Sequence, residues 1–70
     1  MVNMIPVTSS DLSRVGYDSG SQTLYVEFHS GGLYLYTGVP LSVYNGLMSA
    51  PSHGKYFAAN IKNSYPYHRL

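Results

Sequence analysis

The sequence predicts a small α+β domain: a three-stranded antiparallel meander followed by two short helices packed on one face of the sheet. Three observations predict it. Apolar residues alternate with a period of two only in the first half, before Thr37. Spacings of three and four take over from Leu41 onwards. Two turn-type clusters, Asp18-Ser19-Gly20-Ser21 and Ser30-Gly31-Gly32, cut the alternating half into three. Strands first and helices afterwards is the order of an α+β domain, not of an alternating α/β one.

Residues 1–9 read as an extended N-terminal leader, because Pro6 forbids a helix interior and Thr8-Ser9-Ser10 is turn-like. The domain proper is expected over residues 10–70. In the first strand, Leu12 to Tyr17, Val15 and Tyr17 lie on one side and Arg14 and Gly16 on the other. The second, Gln22 to His29, has the clearest alternation: Leu24, Val26 and Phe28 face one way, Tyr25, Glu27 and His29 the other. Leu33 to Thr37 forms the third. Local sequence permits two registers in its hairpin. A two-residue loop puts Tyr34 and Tyr36 on the polar face beside Tyr25. A three-residue loop closed by a left-handed Gly32 pairs His29 with Leu33 and turns both tyrosines towards Val26 and Phe28.

Gly38-Val39-Pro40 marks the exit from the sheet, with Pro40 suited to a first helical position. Leu41, Tyr44, Leu47 and Met48 then define a short amphipathic helix interrupted by Gly46, and Ala50-Pro51 ends it. Ser52 is the expected N-cap of a second helix reaching Asn63, with Phe57 and Ile61 on its inner face. Tyr65-Pro66-Tyr67 stops that helix and returns an aromatic tail.

Composition bounds the function classes. Four basic and three acidic side chains among 70 residues leave a net charge of +1 and a charged fraction of 10%, against about 25% in average domains. Hydrophobic residues at 44%, with eight tyrosines and two phenylalanines, exclude disorder. The absence of cysteine excludes a disulfide framework, a zinc ribbon and a thiol nucleophile. No apolar run approaches the length of a membrane span or signal-peptide core, so the simplest expectation is a soluble cytoplasmic domain. A chain this short buries roughly 60% of its unfolded surface, and aromatic burial must supply much of its stability.

Several motifs together resemble the KTSC domain. They are Val15-Gly16-Tyr17-Asp18, Leu24-x-Val26-x-Phe28, Tyr34-x-Tyr36 and Gly38-Val39-Pro40, then Ser52-x-Gly54-Lys55-Tyr56-Phe57 with Ile61 and Tyr65-Pro66-Tyr67. That short domain is named after the C-terminus of some lysyl-tRNA synthetases and also occurs as stand-alone small bacterial proteins. The resemblance runs from Ser10 to Leu70. The family's role is unknown, and its synthetase context implies RNA binding. Relatives often carry a polar residue where this chain has Leu35, which implies that Tyr34 and Tyr36 point inward as a structural pair and favours the three-residue loop. The expected core around them is Val15, Leu24, Val26, Phe28, Tyr44, Phe57 and Ile61. Ala58 replaces a common Asn, and Asn60 and Ser64 stand where relatives tend to be more basic, which thins any nucleic-acid surface.

The candidate binding residues cluster in the second helix and tail. Ser52, Gly54 and Lys55 combine a helix N-terminus, close backbone approach and a positive charge, the parts of an anion site. The plain alternative is an ordinary serine cap with Lys55 in solvent. Lys62, His68 and Arg69 extend the track, with Lys55 and Lys62 seven residues apart on one helix face. All three acids lie in the first 27 residues, so residues 28–70 hold three basic groups and no acid. Outward-facing tyrosines would instead make a base-stacking platform. Glu27 and His29 share a strand face but lack an orienting third group. His53 and His68 have no partners at metal-ligand spacing, and no glycine-flanked serine elbow is present.

No catalytic residue, metal or cofactor is therefore expected. The chain reads as a non-enzymatic binding module whose partner is single-stranded RNA or tRNA, or another polyanion, held weakly. The alternative is a protein-interaction or accessory domain that meets another protein or itself, since interface cores are poor in charge and rich in tyrosine. No membrane contact is expected.

Overall fold

The computed structural model of the chain describes residues 2–70. Its sheet has five antiparallel strands in chain order: β1 (Ile5–Pro6), β2 (Leu12–Asp18), β3 (Thr23–Phe28), β4 (Leu33–Tyr36) and β5 (Tyr67–Arg69). Helices α1 (Leu41–Ser49) and α2 (His53–Asn60) fall between β4 and β5. The central three strands and both helices are those expected; the two short outer strands are additions to the expected sheet. Residues assigned to a leader supply β1, in which Ile5 pairs with Val15 and Pro6 with Arg14. Proline is tolerated there because an edge position needs no N–H on its open side. The aromatic tail supplies β5 on the other edge.

Cross-strand partners share a face of the sheet, so the register sorts the side chains. The inner face carries the rows Val15–Val26–Tyr34–Arg69 and Tyr17–Leu24–Tyr36–Tyr67. The outer face carries Gly16–Tyr25–Leu35–His68 and the pair Arg14–Glu27. Between Leu12 and Arg14 the register shifts by one residue, a β-bulge at Ser13. The bulge turns Leu12 to the inner face opposite Phe28, where it is fully buried.

The β3–β4 hairpin has a three-residue loop, as expected, at a different place. Phe28 N–H donates to Gly32 across His29-Ser30-Gly31, and Gly31, not Gly32, has the positive φ of 103°. Val26 therefore faces Tyr34 and Leu24 faces Tyr36, a slip of two residues from the expected register. A slip of two preserves the faces, so both tyrosines still point inward.

Pro40 is the N-cap of α1 and does not enter its first turn. Gly46 does not interrupt this helix. It lies under the Tyr56 hydroxyl of α2, which occupies the space of a β-carbon. Ser52 caps α2, its Oγ accepting the Lys55 N–H at 3.3 Å. The helix ends at Asn60, short of Asn63, because the N–H groups of both Ile61 and Lys62 converge on the Phe57 carbonyl. Ile61, at this helix end, is completely buried. The core comprises Leu12, Val15, Leu24, Val26, Tyr36, Val39, Leu47, Phe57 and Ile61. Tyr34, Phe28 and Tyr44, expected within it, are half-buried against its margin. Tyr44 stacks on Tyr17 at 4.9 Å, and the Tyr17 hydroxyl donates to the Val39 carbonyl.

Candidate functional site

Because β5 pairs with β4, the inner face extends beyond what the two helices cover. The result is an open cleft of about 390 Å³ between α2 and the β3–β4–β5 side of the sheet. Its floor is aromatic: Phe28, Tyr34, Tyr36, Phe57 and Tyr67 all line it. Phe28 meets Tyr34 edge-on at 5.3 Å, Tyr36 meets Phe57 edge-on at 5.3 Å, and Tyr67 leans on Tyr36 at 5.5 Å. Tyr36 and Phe57, 4% and 5% exposed, are sealed; Tyr67 remains 55% exposed. Gly54, Ala58 and Lys62 line the wall at intervals of four, one side of α2 and its continuation. Asp11, Ser30 and Asn63 complete the lining. Arg69, beside the cleft on the inner face, holds its guanidinium 5.7 Å from the Tyr34 ring centre, a cation–π contact.

The expected anion track does not hold together. Asp11 Oδ2 lies 3.3 Å from where a β-carbon on Gly54 would sit, beside the first turn of α2. Ser9 Oγ fixes this segment by accepting the N–H groups of Asp11 and Leu12, each at 3.2 Å, while His29 N–H donates to the Asp11 carbonyl. The chain thus brings its own carboxylate to the helix end, where the macrodipole favours a negative charge. A phosphate approaching Ser52 and Gly54 would meet that carboxylate, so the serine is a cap and the glycine belongs to the cleft wall. Lys55 is exposed on α2, but Lys62 lies in the turn beyond it, so the two do not share a helix face. His68 projects from the outer face beside Leu35, opposite to Arg69. Of the track, Lys62 lines the cleft, and Arg69 lies beside it over Tyr34.

The other polar groups are accounted for locally. Arg14 donates two hydrogen bonds to Glu27, at 2.7 and 2.9 Å, the one ion pair among the described residues. The Arg14 hydrogen bonds hold the Glu27 carboxyl below its usual range. His29 Nε2 donates to the Ser9 carbonyl at 2.9 Å, and His53 Nδ1 to the Leu47 carbonyl at 2.8 Å. Burial raises the Tyr36 hydroxyl above the ordinary tyrosine range, with Tyr67 and Tyr34 adding to the shift. Among the described residues, no three His, Asp or Glu side chains gather to hold a metal ion, and no helix is long and apolar enough to cross a membrane.

Sequence reasoning missed Asp11, Phe28 and Tyr67 as cleft residues. Tyr67 carried a signal, as part of an aromatic segment after a proline, but its place depends on pairing with β4. Asp11 carried none.

A five-stranded meander with two helices on its inner face and an open aromatic cleft beside α2 defines a small α+β domain. The chain belongs to the KTSC domain family, whose model matches residues 8–65. It is 48% identical over 61 residues to a lysine–tRNA ligase of Trichormus variabilis, covering 87% of this chain and 11% of that enzyme. A Nostoc lysine–tRNA ligase is 46% identical over 54 residues, 77% of this chain and 10% of the enzyme. The chain therefore spans about a tenth of the length of these ligases. An uncharacterized protein of Stutzerimonas stutzeri is 42% identical over 67 residues, 94% of both chains. The crystal structure of a KTSC domain protein from Yersinia pestis superposes with a TM-score of 0.97 at 33% identity, covering 100% of this chain and 99% of that one.

Proposed function

We propose that this KTSC domain is a non-enzymatic module that binds single-stranded RNA, or another polyanion, weakly at the face carrying Lys62, Arg69, Tyr34 and Tyr67. The observation that carries this reading is the cleft itself: two cations without a carboxylate in ion-pair range border a floor of aromatic rings, one of them 55% exposed. Cations that neutralise phosphates and rings that stack bases are the two parts of a single-strand surface. Similar segments within lysine–tRNA ligases support the same reading, since those proteins act on an RNA.

Titration of labelled single-stranded RNA at low salt tests it. Two phosphate contacts should give a shallow salt slope of about −1.4, at about −0.7 per contact. Lys62→Ala should halve that slope, while His68→Ala, on the opposite face, should leave binding unchanged. No complex at high micromolar protein, or a complex indifferent to Lys62, rejects the reading. In its place would stand a protein-interaction or accessory domain, favoured by the uncharged outer row of Tyr25 and Leu35. Such an association would be insensitive to salt.

A further inference from the structure

We infer that the cleft beside α2 is a pocket for one nucleotide, taking an unstacked base that bears an amino group against Asp11 and its phosphate against Lys62. This inference rests on the single-strand reading above and adds a base preference to it. The cleft, at about 390 Å³, falls at the low end of ligand pockets, about 300–1,000 Å³. It has room for a single nucleotide and not for a helix.

Its polarity runs along α2. Asp11 lines it beside Gly54, at the start of the helix, and Lys62 lines it just past the end. The eight residues of α2 span about 12 Å at 1.5 Å per residue. A ligand lying in the cleft therefore meets a carboxylate at one end, aromatic rings in the middle and an ammonium at the other. An ionised carboxylate only accepts hydrogen bonds, and an ammonium only donates them. The complementary molecule has a donor end, a flat apolar centre and an anionic end, which describes a nucleotide with an exocyclic amine. Cytosine offers its N4 amine, whereas uracil places a carbonyl oxygen at the same position, which an acidic side chain disfavours.

Comparing cytidine and uridine monophosphates isolates this contact, since both carry the same phosphate. Ligand titrations followed by NMR shifts of the Tyr34 and Tyr67 rings should show cytidine monophosphate binding about tenfold tighter, the scale of one hydrogen bond to a charged group. Asp11→Asn, whose amide also donates, should remove that difference. Tyr67→Leu, at an exposed ring, should weaken both nucleotides about 5- to 150-fold, the range for losing one stacked base. Equal binding of the two monophosphates, or of inorganic phosphate alone, overturns the pocket even where RNA still binds with the expected salt slope. Binding of cytidine monophosphate with no binding of RNA upholds the pocket and rejects the single-strand reading. No binding of either rejects both.

Discussion

Tyr34 and Tyr36 stand two apart on one strand face, and their environments differ. Tyr36 is sealed between Phe57 and Tyr67, whereas Tyr34 sits half-buried under Arg69 at the cleft. Tyr36→Ala should cost about 3–5 kcal/mol, the range for deleting a core aromatic, comparable with the whole stability of a domain this size. Tyr34→Ala should cost distinctly less. Denaturant midpoints of the two variants check the order, and equal losses would contradict it. The same burial acts through pH. Tyr36 and Tyr17 both have hydroxyls raised above the ordinary value by desolvation, so the fold favours their neutral forms. That stabilisation is complete below the unfolded tyrosine pKa, about 10, and is lost as pH rises through the higher folded values. Alkaline titration of tyrosinate absorbance should show two rings ionising late, with the denaturation midpoint falling over the same interval. A midpoint constant through that range would refute the linkage.

Among elements, the β3–β4 hairpin shows what patterning can decide. Alternation in Leu24, Val26 and Phe28 fixed which face is inner, and a resemblance in the following strand turned Tyr34 and Tyr36 towards it. Which glycine takes the left-handed conformation was not legible, because Gly31 and Gly32 are locally equivalent. Gly31→Ala, at φ 103°, should destabilise by about 1–3 kcal/mol, the cost of a strained backbone. At Gly32, where φ is ordinary, a β-carbon meets the Tyr34 ring edge instead. Matched denaturation curves separate the two, and a neutral Gly31→Ala would move the turn back to the expected place. The bulge at Ser13 was hidden for a related reason. Period-two reading assigns Leu12 outward, and only the packing opposite Phe28 rewards an extra residue in β2. The end of α2 was missed because Asn63 is as helix-compatible as Asn60; burial of Ile61 decides it.

For the whole molecule, the strand order equals the chain order, and the outer strands are far shorter than β2 and β3. The two-residue β1 and three-residue β5 should open locally while the central strands open only with global unfolding. Hydrogen exchange should therefore show slow amides at Gly16, Leu24 and Val26 and fast ones at Val7 and Leu70. Uniform protection across all five strands would contradict this. The sequence revealed the inner sheet, both helices and the basic character of the second half. It did not reveal the cleft, because that space exists only where β5, assigned to a tail, pairs with β4, and where Asp11 reaches α2 across the fold.

The placement of β1 and β5 on opposite edges has a consequence for tethering. Four interstrand steps of about 4.8 Å separate them, roughly 19 Å across the sheet. A larger protein joined ahead of β1 would leave from the edge remote from Tyr67 and Arg69. Its linker would neither cross nor shade the cleft, and the domain can be carried as cargo with the cleft turned outward.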